Sequence, residues 1–180
     1  FNGGWTHSST GATPNGTNGY ADTFYNPSAS GQLNSAHVSY YSRTNSNGTE
    51  VEIGVERPIT NFQLLEIRTA GLTYFYMNQG GGLGIADANS LGYYIGNRTA
   101  SNVVNGFKNG TKINNASTSS ILLPNAKIYL AAYNQSNNTA AAFSTKQSAF
   151  ATIGDGLTDT DASNLYTRVQ AYQTALSRQV

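Results

Sequence analysis

Apolar and polar residues alternate along most of the chain with the period of two that β-strands produce. Segment 36–43 divides into two faces, with Ala36, Val38 and Tyr40 on one and His37, Tyr41 and Arg43 on the other. Segment 49–56 repeats the alternation, with Val51, Ile53 and Val55 directed inward. Turn residues separate such segments, and Asn47-Gly48, Ala70-Gly71 and Asn109-Gly110 each predict a tight hairpin. Short strands with these turns predict antiparallel sheets packed as a sandwich or jelly roll.

The period changes to that of a helix near the C-terminus. The apolar stripe of this helix consists of Ala162, Leu165, Tyr166, Val169, Tyr172 and Leu176. Thr158 is placed to act as N-cap, with Asp161 as its capping-box partner. Because a helix with one apolar face must cover another element, we predict an all-β antiparallel sandwich with one C-terminal α-helix packed on it. Residues 1–180 are expected to form one domain.

Composition narrows the classes of function. Only 11% of the 180 residues are charged, and the net charge is +1, so nothing indicates binding to nucleic acid. No apolar run is long enough for membrane insertion. Cysteine is absent, which fits a bacterial or viral surface protein better than a disulfide-stapled scaffold. The chain starts at Phe1 without a signal-like segment, so we expect it to be a trimmed part of something longer.

Several segments carry a resemblance to a known group. FKNGTKI (107–113), IYLAAYN (128–134) and AFATIGDGLTDTDASNLYTRVQ (149–170) resemble the closing motifs of laminin-G-like and pentraxin-like domains, in the concanavalin A-like lectin/glucanase superfamily. NGTNGYADTFYNPS (15–28) and SAHVSYYSRTN (35–45) resemble the opening of a variant found in bacteriophage virion and bacterial surface proteins. The resemblance implies a jelly roll. It implies no one function, since this fold hosts lectins, glycosidases and inert structural modules.

The run EVEIGVE (50–56) loosely resembles the catalytic strand of the glucanase branch, and Glu50, Glu52 and Glu56 share one predicted face. Its middle acid is Glu where that motif has Asp. In a regular strand the outer pair would lie roughly 20 Å apart, against about 5–5.5 Å between the carboxyl groups of a retaining glycosidase. Glu52 with Glu56 remains the alternative catalytic pair. The favoured interpretation is a solvated polar face without catalytic residues.

We take five residues as candidates for ligand binding: His37, Tyr41, Arg43, Glu52 and Glu56. The first three share a predicted strand face that could meet a sugar, although an ordinary half-exposed strand residue is the favoured interpretation of His37. Asp159 and Asp161 are better explained by the helix N-terminus than by calcium, so no metal and no cofactor is predicted. The glycine-rich run 79–84 lacks the Lys-Ser/Thr of a phosphate loop and is interpreted as a mobile connection.

These observations predict a non-enzymatic, surface-exposed binding module. We expect a phage virion protein (tail fibre, head fibre or decoration) or a bacterial adhesin, extracellular or on the virion surface, that recognises cell-surface carbohydrate. The alternatives are a decoration domain without a ligand and a glycoside hydrolase using Glu52 and Glu56. A shallow site on loops and sheet edge would bind weakly, so we expect a homo-oligomer, a trimer by analogy with phage fibres, beside other virion or surface-protein subunits.

Overall fold

The computed structural model describes residues 1–57, 61–135 and 137–180. Its elements follow one another as β1 (Trp5–Ser8), β2 (Gly11–Pro14), β3 (Ala21–Asp22), α1 (Pro27–Ser30), β4 (Ala36–Ser42), β5 (Ile53–Arg57), β6 (Asn61–Thr69), β7 (Leu72–Gln79), β8 (Leu83–Ala86), β9 (Gly92–Ala100), β10 (Val103–Lys108), β11 (Thr111–Ala116), β12 (Tyr129–Leu130), β13 (Tyr133–Asn134), β14 (Ala140–Ala141), β15 (Ser148–Gly154) and α2 (Asp159–Ala175).

The strands form two sheets. The seven-stranded sheet has the order β1-β2-β15-β4-β9-β10-β11. The eight-stranded sheet has the order β14-β13-β5-β6-β7-β8, with β12 pairing to both β5 and β3. Among the strand pairs of the described ranges, β13 and β5 run parallel and the others are antiparallel. The fold is therefore the predicted antiparallel β-sandwich of the jelly-roll type, closed by a C-terminal helix.

Two of the three predicted hairpin turns are confirmed. Ala70-Gly71 joins β6 to β7 with φ of 50° and 82°, and Asn109-Gly110 joins β10 to β11 with φ of 50° and 76°. These positive φ angles are the conformation that a tight hairpin turn requires. Asn47-Gly48 was wrongly predicted as a hairpin, because β4 and β5 lie in different sheets and the segment between them crosses from one to the other.

The space between the sheets is filled by apolar side chains from both layers. Ile53 and Val55 point into it as the alternation predicts. The fully or almost fully buried members from the two sheets are Val38, Tyr40, Ile53, Val55, Leu65, Ile67, Phe75, Met77, Tyr94, Val104 and Ile128. Val51 is buried too, and it lines the surface groove described below.

Helix α2 begins with the predicted capping box. Thr158 Oγ1 accepts a hydrogen bond from the Asp161 N–H at 3.1 Å, and Asp161 Oδ2 accepts one from the Thr158 N–H at 3.3 Å. The helix packs on the outer face of the seven-stranded sheet, in a cluster whose buried members are Tyr41, Tyr93, Ile95, Phe107, Ala162 and Val169.

The prediction is wrong for the last part of the apolar stripe of α2. Tyr172 and Leu176 are 50% and 40% exposed, whereas Gln173 is buried and its Nε2 donates to the Ala149 carbonyl at 3.3 Å. The final turns of α2 therefore present a glutamine to the sheet, because this amide satisfies a backbone carbonyl that an apolar side chain would leave unpaired.

Arg98 is a fully buried charge that joins the sheets at one end of the sandwich. Its guanidinium N–H groups donate to five oxygens: the carbonyls of Met77, Ala100, Ser101 and Thr118, and Gln79 Oε1. An arginine has five such donors, so each of them is satisfied. Burial lowers the pKa of Arg98 to about 10, which leaves it charged at neutral pH.

We expect Phe107→Ala to lower the free energy of unfolding by about 3–5 kcal/mol, because it empties a position between sheet and helix. Phe107 is 1% exposed. The matched control is Phe24→Ala, since Phe24 is 76% exposed and its ring contacts Lys127 Nζ at 4.6 Å from the centroid. In this control the free energy of unfolding should fall by no more than about 1 kcal/mol. Urea denaturation measures both, and equal losses would show that α2 is not docked on this face.

Candidate ligand-binding face

The predicted patch of His37, Tyr41 and Arg43 is not available to a ligand. His37 is 7% exposed; its Nδ1 lies 2.6 Å from the Asp155 carbonyl oxygen and its Nε2 3.0 Å from Thr152 Oγ1. Burial lowers the pKa of His37, although the nearby Asp155 acts in the opposite direction. The strand face that carried the prediction is covered, so the proposed sugar-facing role of His37 is corrected to a structural one.

Tyr41 and Arg43 form hydrogen bonds with the C-terminal part of the chain. The Tyr41 hydroxyl is buried and donates to Gln170 Oε1 at 2.8 Å, within helix α2. The Arg43 guanidinium donates to the Arg178 carbonyl at 2.5 Å and to Gln147 Oε1 at 2.7 Å. These two residues hold α2 and the chain that follows it against the sheet. The assignment of the fully buried Tyr41 as a ligand contact is thereby corrected, whereas Arg43 is half-exposed.

The solvated acidic face predicted for 50–56 does not form either. Glu52 is fully buried, with Oε1 3.1 Å from Lys146 Nζ and Oε2 accepting the Ile67 N–H at 2.6 Å. Burial raises the pKa of Glu52 to about 7 against the opposing effect of Lys146. Glu56, by contrast, lies opposite Phe62 in the β5–β6 pair and is half-exposed. Glu52 is thus enclosed by the protein, whereas Glu56 is partly exposed to solvent.

Lys146 is the buried centre of this acidic cluster. Its Nζ lies 3.2 Å from Glu50 Oε2 and 3.1 Å from Glu52 Oε1, and it is itself fully buried. Burial would raise the pKa of Glu50, but the Thr145 N–H and Lys146 lower it overall. Glu50 is 13% exposed, so the cluster connects the protein interior with the surface.

A different set of side chains lies on the outer face of the eight-stranded sheet. On β6 and β7 the residues that point away from the core are half-buried aromatics, one carboxylate and a leucine: Phe62, Leu64, Glu66, Tyr74 and Tyr76. Leu64 pairs with Tyr76 across the strands, and Glu66 with Tyr74. The ring centroids of Phe62 and Tyr76 are 5.4 Å apart, and those of Tyr76 and Tyr74 are 6.1 Å apart. The three rings form a continuous row, called here the aromatic row.

The glycine-rich run beside β7 explains how the tyrosine rings lie. A Cβ placed on Gly82 would come within 2.4 Å of the Tyr76 ring, and one on Gly84 within 2.6 Å of the Tyr74 ring. The rings therefore lie against glycine backbone that a side chain would occupy. This corrects the interpretation of 79–84 as a mobile connection, because Gly84 belongs to strand β8 and pairs with Tyr74.

A groove of about 330 Å³ runs along the other side of β6. Its walls are Thr49, Glu50, Val51, Phe62, Leu64, Glu66, Thr69, Tyr133 and Ala142. Gly54 lies between Tyr133 and Leu64 in the sheet, and a Cβ at this position would come within 2.2 Å of Leu64 Cβ. Phe62, Leu64 and Glu66 border both the groove and the aromatic row, so the two form one surface.

Glu66 is the carboxylate at the centre of this surface. Burial raises its pKa. Burial also raises the pKa of Tyr76 to about 12, with a further contribution from the charge of Glu66. A carboxylate beside aromatic rings offers strong hydrogen-bond acceptors next to flat apolar faces, an arrangement typical of sites that bind amphipathic small molecules.

Over the described ranges, no three His, Cys, Asp or Glu side chains lie close enough to hold a metal ion. In the same ranges no helix has both the length and the apolar character needed to cross a membrane.

The sequence comparisons with family models and with curated proteins find no match. Solved structures do match, and all of those named below share the β-sandwich fold of this chain. Domain 4 of AbnA, a GH43 extracellular arabinanase from Geobacillus stearothermophilus solved with arabinotriose, is 13% identical with a TM-score of 0.54, over 91% of this chain and 82% of that one. The IT-sialidase CBM40 of Ruminococcus gnavus is 14% identical with a TM-score of 0.51, over 92% and 98%.

The third similar structure is larger. The K499G mutant of NanB sialidase from Streptococcus pneumoniae has a TM-score of 0.58 at 13% identity, and the match covers 91% of this chain. This chain spans only 27% of the NanB chain. At these identities the comparisons establish a shared β-sandwich fold.

We expect Lys146→Met to lower the free energy of unfolding by about 3–5 kcal/mol, because it leaves two buried carboxylates without their cation. The control is Lys112→Met: Lys112 pairs with Asp159 at 2.6 Å, but the two side chains are 31% and 63% exposed. A surface pair contributes about 0–1 kcal/mol, so the control should change little. Urea denaturation compares the two, and a loss below about 1 kcal/mol for Lys146→Met would contradict the buried cluster.

Proposed function

We propose that this chain is a non-enzymatic carbohydrate-binding module and that its ligand lies on the outer face of the eight-stranded sheet. The observation that carries the proposal is the aromatic row of Phe62, Tyr76 and Tyr74 beside a groove that contains Glu66. This proposal assigns the predicted ligand, a cell-surface glycan, to residues other than those that the sequence suggested.

A sugar ring has an apolar face of C–H groups and a rim of hydroxyls. The exposed faces of Tyr74 and Tyr76 suit the first, since aromatic rings offer large, rigid apolar area. The Glu66 carboxylate suits the second, since an ionised acceptor makes hydrogen bonds about twice as strong as neutral ones. The groove on the other side of β6 gives room for a substituent or a second sugar unit.

The similar structures support this proposal in outline. One is an arabinanase domain in complex with arabinotriose and another is a sialidase CBM40. Their low identity leaves the position of the site to the geometry of this chain.

The glycoside hydrolase alternative loses its main candidate. Glu52 makes its hydrogen bonds to Lys146, Ser144 and the Ile67 N–H, and it is fully buried, so a substrate cannot contact it. A pair of carboxyl groups flanking one glycosidic bond needs both at the surface. Glu52 with Glu56 does not meet that requirement, and we propose a binding role without catalysis.

We propose an extracellular or virion-surface setting, as a phage tail-fibre, head-fibre or decoration domain or as a bacterial adhesin. The absence of cysteine, the low charge and the resemblance of segments 15–28 and 35–45 support it. A decoration domain that binds no sugar is the alternative, and the binding experiment below separates the two.

The purified domain is expected to bind glycans on an array, and Tyr76→Ala should weaken the affinity for the best glycan by about tenfold or more, as loss of a central aromatic contact does. The control is Tyr172→Ala, which removes a tyrosine that is 50% exposed on helix α2. Isothermal titration calorimetry gives both affinities. No hit at high micromolar concentration would favour the decoration domain.

A second variant tests the geometry without removing the aromatic ring. Gly82→Ala should weaken binding, because its Cβ displaces the Tyr76 ring. Gly81→Ala is the matched control, since a Cβ there meets nothing within 4 Å. Binding unchanged in Tyr76→Ala and Gly82→Ala would place the ligand elsewhere.

Because the site is open, we expect weak binding by one copy and assembly of several copies for adhesion. Light scattering should then give a multiple of the 19.1 kDa chain mass, with a trimer as the proposed state. A monomer that binds one sugar at nanomolar affinity would refute this proposal.

A further inference from the structure

The charges that line the groove are all of one sign. Glu50 and Glu66 line it, and none of the lining side chains in the described ranges is basic. The other lining residues are apolar or hydroxyl-bearing, so they offer no charge that would offset the two carboxylates.

Lys146 does not reverse this balance. It is fully buried behind Glu50 and is shared with Glu52, so one cation faces two carboxylates. Its Nζ donates to Glu50 Oε2 at 3.2 Å and to Glu52 Oε1 at 3.1 Å. A ligand in the groove therefore meets the acceptor oxygens of Glu50 but not the lysine.

Glu50 is also fixed in place. Its carboxylate accepts hydrogen bonds from the Thr145 N–H and hydroxyl, each at 2.8 Å, in addition to the contact with Lys146. A carboxylate held in this way cannot swing aside to admit an anion. Glu66 also lines the groove and pairs with Tyr74 across the strands, and its partial burial strengthens repulsion between like charges.

We infer that the site takes a neutral sugar chain and rejects glycans that carry a carboxylate, such as sialic acids and uronic acids. This inference rests on the proposed function. The inferred ligand class differs from that of a protein that binds sialic acid, even though the fold is shared with modules of two sialidases. The carboxylates of Glu50 and Glu66 accept hydrogen bonds from sugar hydroxyls, whereas a sialate would add a third negative charge to the same groove.

The experiment uses matched probes: neutral oligosaccharides and the same oligosaccharides capped with sialic acid, on one array and then in titrations at low and at physiological salt. The chain should bind the neutral oligosaccharide about tenfold more tightly than the sialylated one. Added salt should reduce this difference in affinity, because it screens the repulsion. Glu66→Gln should reduce the difference in affinity as well. Asp159→Asn, which removes one negative charge on helix α2, should leave it unchanged.

The outcomes are distinguishable. Equal or tighter binding of the sialylated member, still lost in Tyr76→Ala, would overturn the inference and leave the binding face in place. A preference for the neutral member that Glu66→Gln and Asp159→Asn alter to the same extent would also overturn it, since the discrimination would then come from net charge alone. Binding to neither member would overturn the proposed function and the inference together.

Discussion

Helix α2 covers the outer face of the seven-stranded sheet, and this contact determines which outer sheet face is left open to solvent. Tyr41, Tyr93 and Phe107 would otherwise be an exposed apolar patch of the kind that soluble proteins seldom carry. Once the helix is in place, strand β4 is buried on both faces. The outer face of the eight-stranded sheet is not covered in this way, and it carries the half-exposed aromatic row.

Arg98 and Lys146, the fully buried cations among the residues that the structure describes, show that the interior accommodates charge by two different means. Arg98 is solvated by uncharged oxygens, four of them backbone carbonyls, and so its position depends on the backbone at one end of the sandwich. Lys146 is neutralised by carboxylates, one of which also lines the groove. Contacts from the protein interior therefore hold Glu50 in the wall of the candidate site, which limits the conformational entropy that a ligand would have to remove on binding.

Local sequence signals predicted local structure well. The capping box at Thr158, the hairpins at Ala70-Gly71 and Asn109-Gly110, and the inward direction of Ile53 and Val55 each depend on residues close together in the chain. The failures depend on distant partners. Asn47-Gly48 carries the same turn signal as Asn109-Gly110, but the strands on either side of it pair with other strands.

The predictions of His37 and Glu52 as binding residues failed for the same reason. Glu52 is buried by Lys146, 94 positions away, and His37 by residues 115 and 118 positions away. Alternation assigns Tyr74 and Tyr76 to one face of β7, but it cannot say which face is opposite the core, because that depends on how the layers stack. A cross-strand pattern of tyrosine facing glycine was the one signal that pointed to the open face, and it becomes readable only when the β7–β8 register is known.

The tyrosine–glycine pairs also bear on how such a surface changes during evolution. Position 82 determines the tilt of the ring at 76, and position 84 that of the ring at 74. One methyl group at either glycine would reorient a ring at the surface while leaving the core and the helix contact untouched. Homologues with the same fold are thus free to alter ligand preference at these glycines, and positions 76 and 82, like 74 and 84, are expected to covary.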